Sequence, residues 1–148
     1  MSFKKVDHIA IAVPELNEAI SLFSALLKKE PDHIEEVADQ KVKAAFFGIG
    51  DADSDPTNIE LLFPVSEDSP ISKFLANLQG RSGLHHICLE VTDLEGHLAD
   101  LKSKGVRLID EKPRTGAHGK KIAFIHPKST NGILIELSEK AIVTGKQK

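Results

Sequence analysis

His8-Ile9-Ala10-Ile11-Ala12-Val13 returns in the second half of the chain as His86-Ile87-Cys88-Leu89-Glu90-Val91. A second pair of runs repeats with it: Asn58-Ile59-Glu60-Leu61-Leu62 matches Leu134-Ile135-Glu136-Leu137-Ser138. The match extends beyond the histidines, with Leu16 on Leu94, Ile20 on Leu98 and Phe23 on Leu101. A unit half a chain long is too long for a solenoid repeat. It points instead to two related modules, each carrying one histidine and one glutamate on strands.

The elements follow from hydrophobic period and punctuation. Val6 to Val13 alternates as a strand, with Ile9 and Ile11 on one face and His8 and Ala10 on the other. Pro14 stops it, and Leu16, Ile20, Phe23 and Leu27 then recur at helical spacing to about Lys28. Val42 to Ile49 and Asn58 to Phe63 read as strands, with the acidic stretch Asp51 to Thr57 as the loop between them. Ser66-Glu67-Asp68-Ser69 leads into a short helix from Ile71 to Leu78, and Gln79 to Gly83 connects the halves. The second half repeats the order: a strand from Leu84 to Val91, then a helix marked by Leu94, Leu98 and Leu101 that stops near Gly105. A short strand is expected at Val106 to Ile109, a loop from Pro113 to Lys120, and strands at Lys121 to Ile125 and Ile133 to Leu137. The tail from Ala141 is expected to fray.

This pattern predicts an α+β fold in which two βαβββ modules form a curved mixed β-sheet around a metal site. One domain spans residues 1–148, with module one at about 6–64, a linker helix at about 65–82 and module two at about 83–140.

Bulk composition narrows the function. The 148 residues are 41% hydrophobic, enough for a real core. A net charge of −3 gives no support for nucleic acid or an anionic membrane as the main partner. Cys88 is the single cysteine, which excludes an internal disulfide and fits a reducing compartment. No apolar run approaches a membrane span, and Met1 to His8 lacks the apolar stretch of a secretory signal. The expected location is cytoplasmic.

Alternation decides what the four repeated residues can do. His8 shares a face with Ala10 and Ala12, whose small side chains leave room for an ion and a substrate. Glu60 lies between Ile59 and Leu61, and Glu136 between Ile135 and Leu137. A carboxylate inside an apolar strand is costly to bury unless a proton, a partner or a metal neutralises it. Brought together by the repeat, His8, Glu60, His86 and Glu136 suit an octahedral first-row divalent ion with two open positions. Zn, Co, Ni, Mn and Fe all fit this donor set. The competing reading makes the histidines satisfied core residues and the glutamates solvent-facing. His85 falls opposite His86 by alternation and aligns with Asp7 in the repeat, so it is left out of the metal set.

The chain resembles the vicinal oxygen chelate (glyoxalase-like) superfamily, and within it the branch that epimerises methylmalonyl-CoA. The resemblance runs from about Val6 to Leu137. It is carried by Asp7-His-Ile-Ala-Ile-Ala-Val13, Leu62-Phe-Pro-Val-Ser-Glu-Asp-Ser-Pro-Ile71 and Gly83-Leu-His-His-Ile87. Gly105-Val-Arg-Leu-Ile-Asp110, Pro113-Arg-Thr-Gly-Ala-His-Gly-Lys-Lys121 and His126-Pro-Lys-Ser-Thr-Asn-Gly-Ile-Leu-Ile-Glu136 complete it. It implies a metal held by His8, Glu60, His86 and Glu136, an acyl-CoA thioester substrate and a homodimer. Some relatives carry glutamine, an equivalent oxygen donor, at the position of Glu60. Some carry a glutamate where this chain has Ala44, so the resemblance assigns no second proton-transfer group here.

The implied reaction is epimerisation of (2R)- and (2S)-methylmalonyl-CoA by α-proton transfer through an enolate, with the metal as Lewis acid. Glu136 is the candidate catalytic base, because a ligand carboxylate lies beside the substrate. Asp39 and Gln40 occupy a loop that could reach the site. Lys120, Lys121 and Lys128 are candidate cations for the coenzyme A phosphates, and His118 could line the mouth. The alternatives are a glyoxalase I-type lactoylglutathione lyase, an extradiol dioxygenase, or a metal-free small-molecule binding module. The fourth ligand disfavours the dioxygenase, which uses two histidines and one carboxylate.

Overall fold

The computed structural model describes residues 1–50 and 55–141. Part of the expected loop after Gly50 and nearly all of the expected frayed tail therefore lie outside the described residues. Among the described residues the chain forms eight strands and three α-helices. In order these are β1 (Phe3–Ala12), α1 (Leu16–Leu27), β2 (His33–Val37), β3 (Val42–Ile49), β4 (Thr57–Pro64) and α2 (Pro70–Asn77). They are followed by β5 (Gly83–Val91), α3 (Leu94–Ser103), β6 (Arg114–Thr115), β7 (Lys121–Ile125) and β8 (Ile135–Glu139). The α+β class and the repeated βαβββ order are as the sequence predicts. None of the described helices is long and apolar enough to cross a membrane.

The chain packs as two compact units, one of His8–His86 and one of Met1–Asp7 with the chain from Ile87 onward. In the first unit the strand order is β2-β3-β4-β1. β1 runs parallel to β4, and the other pairings are antiparallel. One face is covered by α1. Its Leu16, Ile20, Phe23 and Leu27 pack with Val13, Ala45, Phe47 and Leu61. Burying each large side chain in such a cluster contributes about 1.5–3 kcal/mol. The opposite face carries Ala10, Ala12, Val42, Ala44, Phe46 and Leu62, with Ile71 and Leu75 of α2 packed on them. By alternation His8 and Glu60 share this second face. Ser69 caps α2 by accepting from the Ile71 N–H at 3.2 Å, and Pro70 fills the first turn.

The second unit has the matching order β5-β8-β7-β6. Here β5 runs parallel to β8, and β7 is antiparallel to both β8 and β6. α3 covers the face formed by Val91, Ala123, Ile125 and Leu137, burying Leu94 and Leu98. Its N-terminus is capped by Asp93, which accepts from the Gly96 N–H at 3.1 Å. The other face carries Cys88 opposite Glu136 and Glu90 opposite Ser138. The first residues of the chain belong to this unit too: Ser2 and Thr92 exchange backbone and hydroxyl hydrogen bonds, and Phe3 meets His97 edge-on.

Two details depart from the sequence reading. The sequence does not announce β2, because His33-Ile-Glu-Glu-Val37 is mostly polar and lies at the edge of its sheet. The expected strand at Val106 to Ile109 is reduced to a single bridge between Leu108 and Ile125. The Ile109 and Asp110 amides both donate to the Phe124 carbonyl, so no regular ladder can form. The pairing partner of β7 comes instead from the expected loop, where Arg114 and Thr115 form β6 opposite Ile122 and Lys121.

Candidate metal and active site

Three of the four predicted ligands meet in the first unit. β1 supplies His8, β4 supplies Glu60 and the start of β5 supplies His86. The parallel register puts Ala10 opposite Glu60, and the neighbouring strand puts Phe46 opposite Glu60 on its other side. The two alanines after His8 are fully buried and keep its ring uncrowded.

The geometry is specific. The Nε2 atoms of His8 and His86 face each other at 3.1 Å, with the rings edge-on at an interplanar angle of 79°. The rear nitrogen of His8, Nδ1, lies 3.1 Å from Glu60 Oε2. The rear nitrogen of His86, also Nδ1, lies 2.8 Å from Nδ1 of His85. His8 and His86 are 8% and 5% exposed, so bulk water does little to screen this arrangement.

The facing nitrogens of His8 and His86 fit a divalent ion. An ionised carboxylate only accepts, so Glu60 draws the hydrogen of a neutral His8 to Nδ1 and leaves a lone pair on Nε2. A second imidazole nitrogen pointing at that lone pair must share a proton with it or share a cation. His8 and His86 would hold such an ion through their facing Nε2 atoms, the imidazole donors that first-row divalent ions accept.

Glu136 lies in the second unit on β8, where it is 5% exposed and opposite Cys88 and Phe124. Burial of a carboxylate on a strand between Ile135 and Leu137 is what the sequence predicts for it, and solvent-facing glutamate is not what the structure shows.

The remaining candidates are spread more widely. Asp39 and Gln40 form a 3-10 turn, Ala38–Gln40, rather than an open loop. Asp39 is exposed there, and the Gln40 carbonyl accepts from the Ser69 hydroxyl at 3.3 Å. Ala44 is buried in the apolar cluster under α2 and brings no acid to that face. His118 is exposed, with left-handed backbone at φ 63°, in the 3-10 turn before Lys120. Lys121 and Lys128 are exposed cations. Lys120 is different: its ammonium donates to Asp7 Oδ1 at 2.6 Å, and the Asp7 side chain is 6% exposed. Burial works against the Lys120 charge, but the hydrogen bond and charge of Asp7, with Cys88 and Glu90 behind it, hold its pKa above the ordinary lysine value.

Sequence reasoning missed two residues. Alternation sets His85 apart from His86, yet its Nδ1 lies 2.8 Å from Nδ1 of His86. Asp7 breaks the alternation, since both it and His8 are buried, and it fixes Lys120. The signal for both was the repeat, which places these two residues immediately before the two histidines.

Comparison with known proteins agrees with this architecture. The Glyoxalase/Bleomycin resistance protein/Dioxygenase superfamily model matches residues 7–124. Methylmalonyl-CoA epimerase of Dictyostelium discoideum is 40% identical over 136 residues, covering 92% of this chain and 78% of that protein. The ethylmalonyl-CoA/methylmalonyl-CoA epimerase of Cereibacter sphaeroides is 38% identical, covering 91% of this chain and 97% of that protein. Among solved structures, a Streptomyces coelicolor methylmalonyl-CoA epimerase in complex with 2-nitronate-propionyl-CoA superposes with a TM-score of 0.86 at 36% identity, covering 97% of this chain and 99% of the other. The chain belongs to the glyoxalase/bleomycin resistance protein/dioxygenase superfamily and, within it, to the methylmalonyl-CoA epimerases.

Proposed function

We propose that the chain works as a single catalytic domain that epimerises methylmalonyl-CoA, moving the proton on the carbon between carboxylate and thioester. The relatives named above support the reaction and the acyl-CoA substrate. The observation that carries the site is the buried pair of facing His8 and His86 nitrogens. With Glu60 and Glu136 they are the residues that would hold a divalent ion. Such an ion supplies Lewis-acid stabilisation of negative charge on the thioester oxygen.

The remaining chemistry falls to the chain itself. Glu136, a buried carboxylate on a rigid strand, takes the α-proton. Glu60 fixes His8 through Nδ1. As a fourth ligand Glu60 would offer a carboxylate oxygen to the ion, and beside His8 Nδ1 it would orient that ring. Exposed Lys121 and Lys128 are the cations offered to the coenzyme A phosphates, while Lys120 is committed to Asp7. A homodimer and a cytoplasmic location complete the proposal.

The test is α-proton exchange of methylmalonyl-CoA in heavy water, followed by NMR with and without a chelator. Deuterium uptake with racemisation that the chelator abolishes and added metal restores is the expected result. No exchange with any of Zn, Co, Ni, Mn or Fe overturns it and directs attention to thiohemiacetal substrates.

A further inference from the structure

We infer that His85 is a positioning residue that holds His86 in its metal-binding orientation. The inference rests on the metal reading proposed above. A histidine that binds a metal through one nitrogen is oriented by what the other nitrogen bonds, and that outer contact sets both tautomer and ring angle. His8 has such a contact in Glu60. His86 has it in His85, Nδ1 to Nδ1 at 2.8 Å.

Successive strand residues point to opposite faces, so neighbouring rings do not normally meet. They can meet here because Nδ1 is the ring nitrogen nearest the backbone in both. The His85 ring is itself held. Phe74 of α2 contacts it edge-on, with centroids 4.9 Å apart at 82°. Phe74 in turn packs on the cluster that contains Ile71 and Leu75. A chain of contacts therefore runs from the first unit's core through α2 and His85 to the back of His86.

The hydrogen-bond direction follows. When Nε2 of a neutral His86 is given to a metal, its hydrogen sits on Nδ1. That N–H donates to Nδ1 of His85, which accepts and carries its own hydrogen on Nε2. The bland alternative is that His85 only fills space against Phe74. A phenylalanine at this position would fill the same space without accepting a hydrogen bond, so substitution separates the two.

The experiment uses the full chain and measures Co2+ affinity and the visible Co2+ spectrum for wild type, His85→Phe and His85→Asn. Loss of an outer-shell partner typically weakens metal binding ~10–100-fold, and His85→Phe is expected to fall in that range with displaced visible bands. His85→Asn places an amide oxygen near the lost Nδ1 and is expected to recover most of the affinity. Wild-type affinity and spectrum in His85→Phe overturn the inference and leave the metal reading intact. Absence of Co2+ binding by wild type overturns both. Long-range proton–nitrogen NMR of the Zn2+-loaded wild type gives a reading that needs no variant to fold. Hydrogen on Nδ1 of His86 and Nε2 of His85 supports the inference, and hydrogen on Nδ1 of both rings overturns it.

Discussion

The Nε2 atoms of His8 and His86 stand 3.1 Å apart at a buried point, each ring secured from behind at Nδ1. The two residues are the corresponding positions of the repeat, one on β1 and one on β5. Two lone pairs cannot be held face to face at this distance without a proton or a cation between them. His86→Ala is therefore expected to lose bound metal and turnover to background while the fold survives, since the ring is not part of the three apolar clusters. Metal analysis after dialysis, beside circular dichroism and the exchange assay, checks this. Normal stoichiometry and turnover in the variant would remove His86 from the site.

Glu60 tests whether a carboxylate is needed or only an oxygen. Its Oε2 lies 3.1 Å from His8 Nδ1. Glu60→Gln keeps an amide oxygen that can accept the same hydrogen or coordinate a metal, so metal occupancy is expected to persist. Glu60→Ala removes both options and frees the His8 ring to turn, with a loss in metal affinity of ~10–100-fold. Competition against a chromophoric chelator measures both variants. Equal affinity in Glu60→Ala and wild type would show that the carboxylate neither coordinates nor orients.

The sequence was legible where periodicity and the repeat reinforced each other. Leu16, Ile20, Phe23 and Leu27 announced α1, and Leu94 and Leu98 announced α3, because a one-sided helix must place apolar residues three or four apart. His8, Glu60 and His86 were legible as a group because two copies of one pattern carried them. What stayed hidden depends on tertiary contacts. β2 is an edge strand with little apolar content, and its identity comes from pairing with β3. The role of Arg114 and Thr115 as β6 depends on β7 presenting a free edge. The contact between the adjacent His85 and His86 rings and the burial of Asp7 beside His8 are not what simple alternation leads one to expect, and no single-strand pattern encodes them.

The Lys120–Asp7 pair makes a pH-dependent prediction. The Lys120 pKa is raised above 10.5 in the folded chain, burial opposing and Asp7 outweighing it. A raised folded pKa means the stabilisation is fully present below 10.5 and is lost as pH climbs through the folded value. Asp7 is more buried than Lys120, with side chains 6% and 21% exposed. Lys120→Met leaves the more buried charge without its lysine and is expected to destabilise more than Asp7→Asn. Breaking a buried pair costs ~3–5 kcal/mol, and partial exposure of the lysine places this one toward the lower end. Denaturant unfolding at neutral pH gives the order of the two variants, and unfolding above the lysine range should show the difference from wild type closing. A gap that persists unchanged there would mean that packing, not the ion pair, fixes this turn.

Glu136 is assigned two roles that one substitution can separate. As a ligand it contributes an oxygen, which glutamine also has. As a base it contributes a site for the α-proton, which an amide does not offer. Glu136→Gln conserves volume at a position 5% exposed, opposite Cys88 and Phe124, so the strand should hold. Turnover is expected to fall by roughly 10²–10⁴, the usual contribution of a positioned general base, while metal occupancy falls far less. The decisive comparison is single-variant metal content against the exchange rate in heavy water measured on the same preparation. If the two decline in proportion, Glu136 is a ligand alone and the α-proton goes to another group. If exchange collapses with the metal still bound, the buried carboxylate on β8 is the base, and the partner on the opposite face of the substrate becomes a question about which acid can reach it.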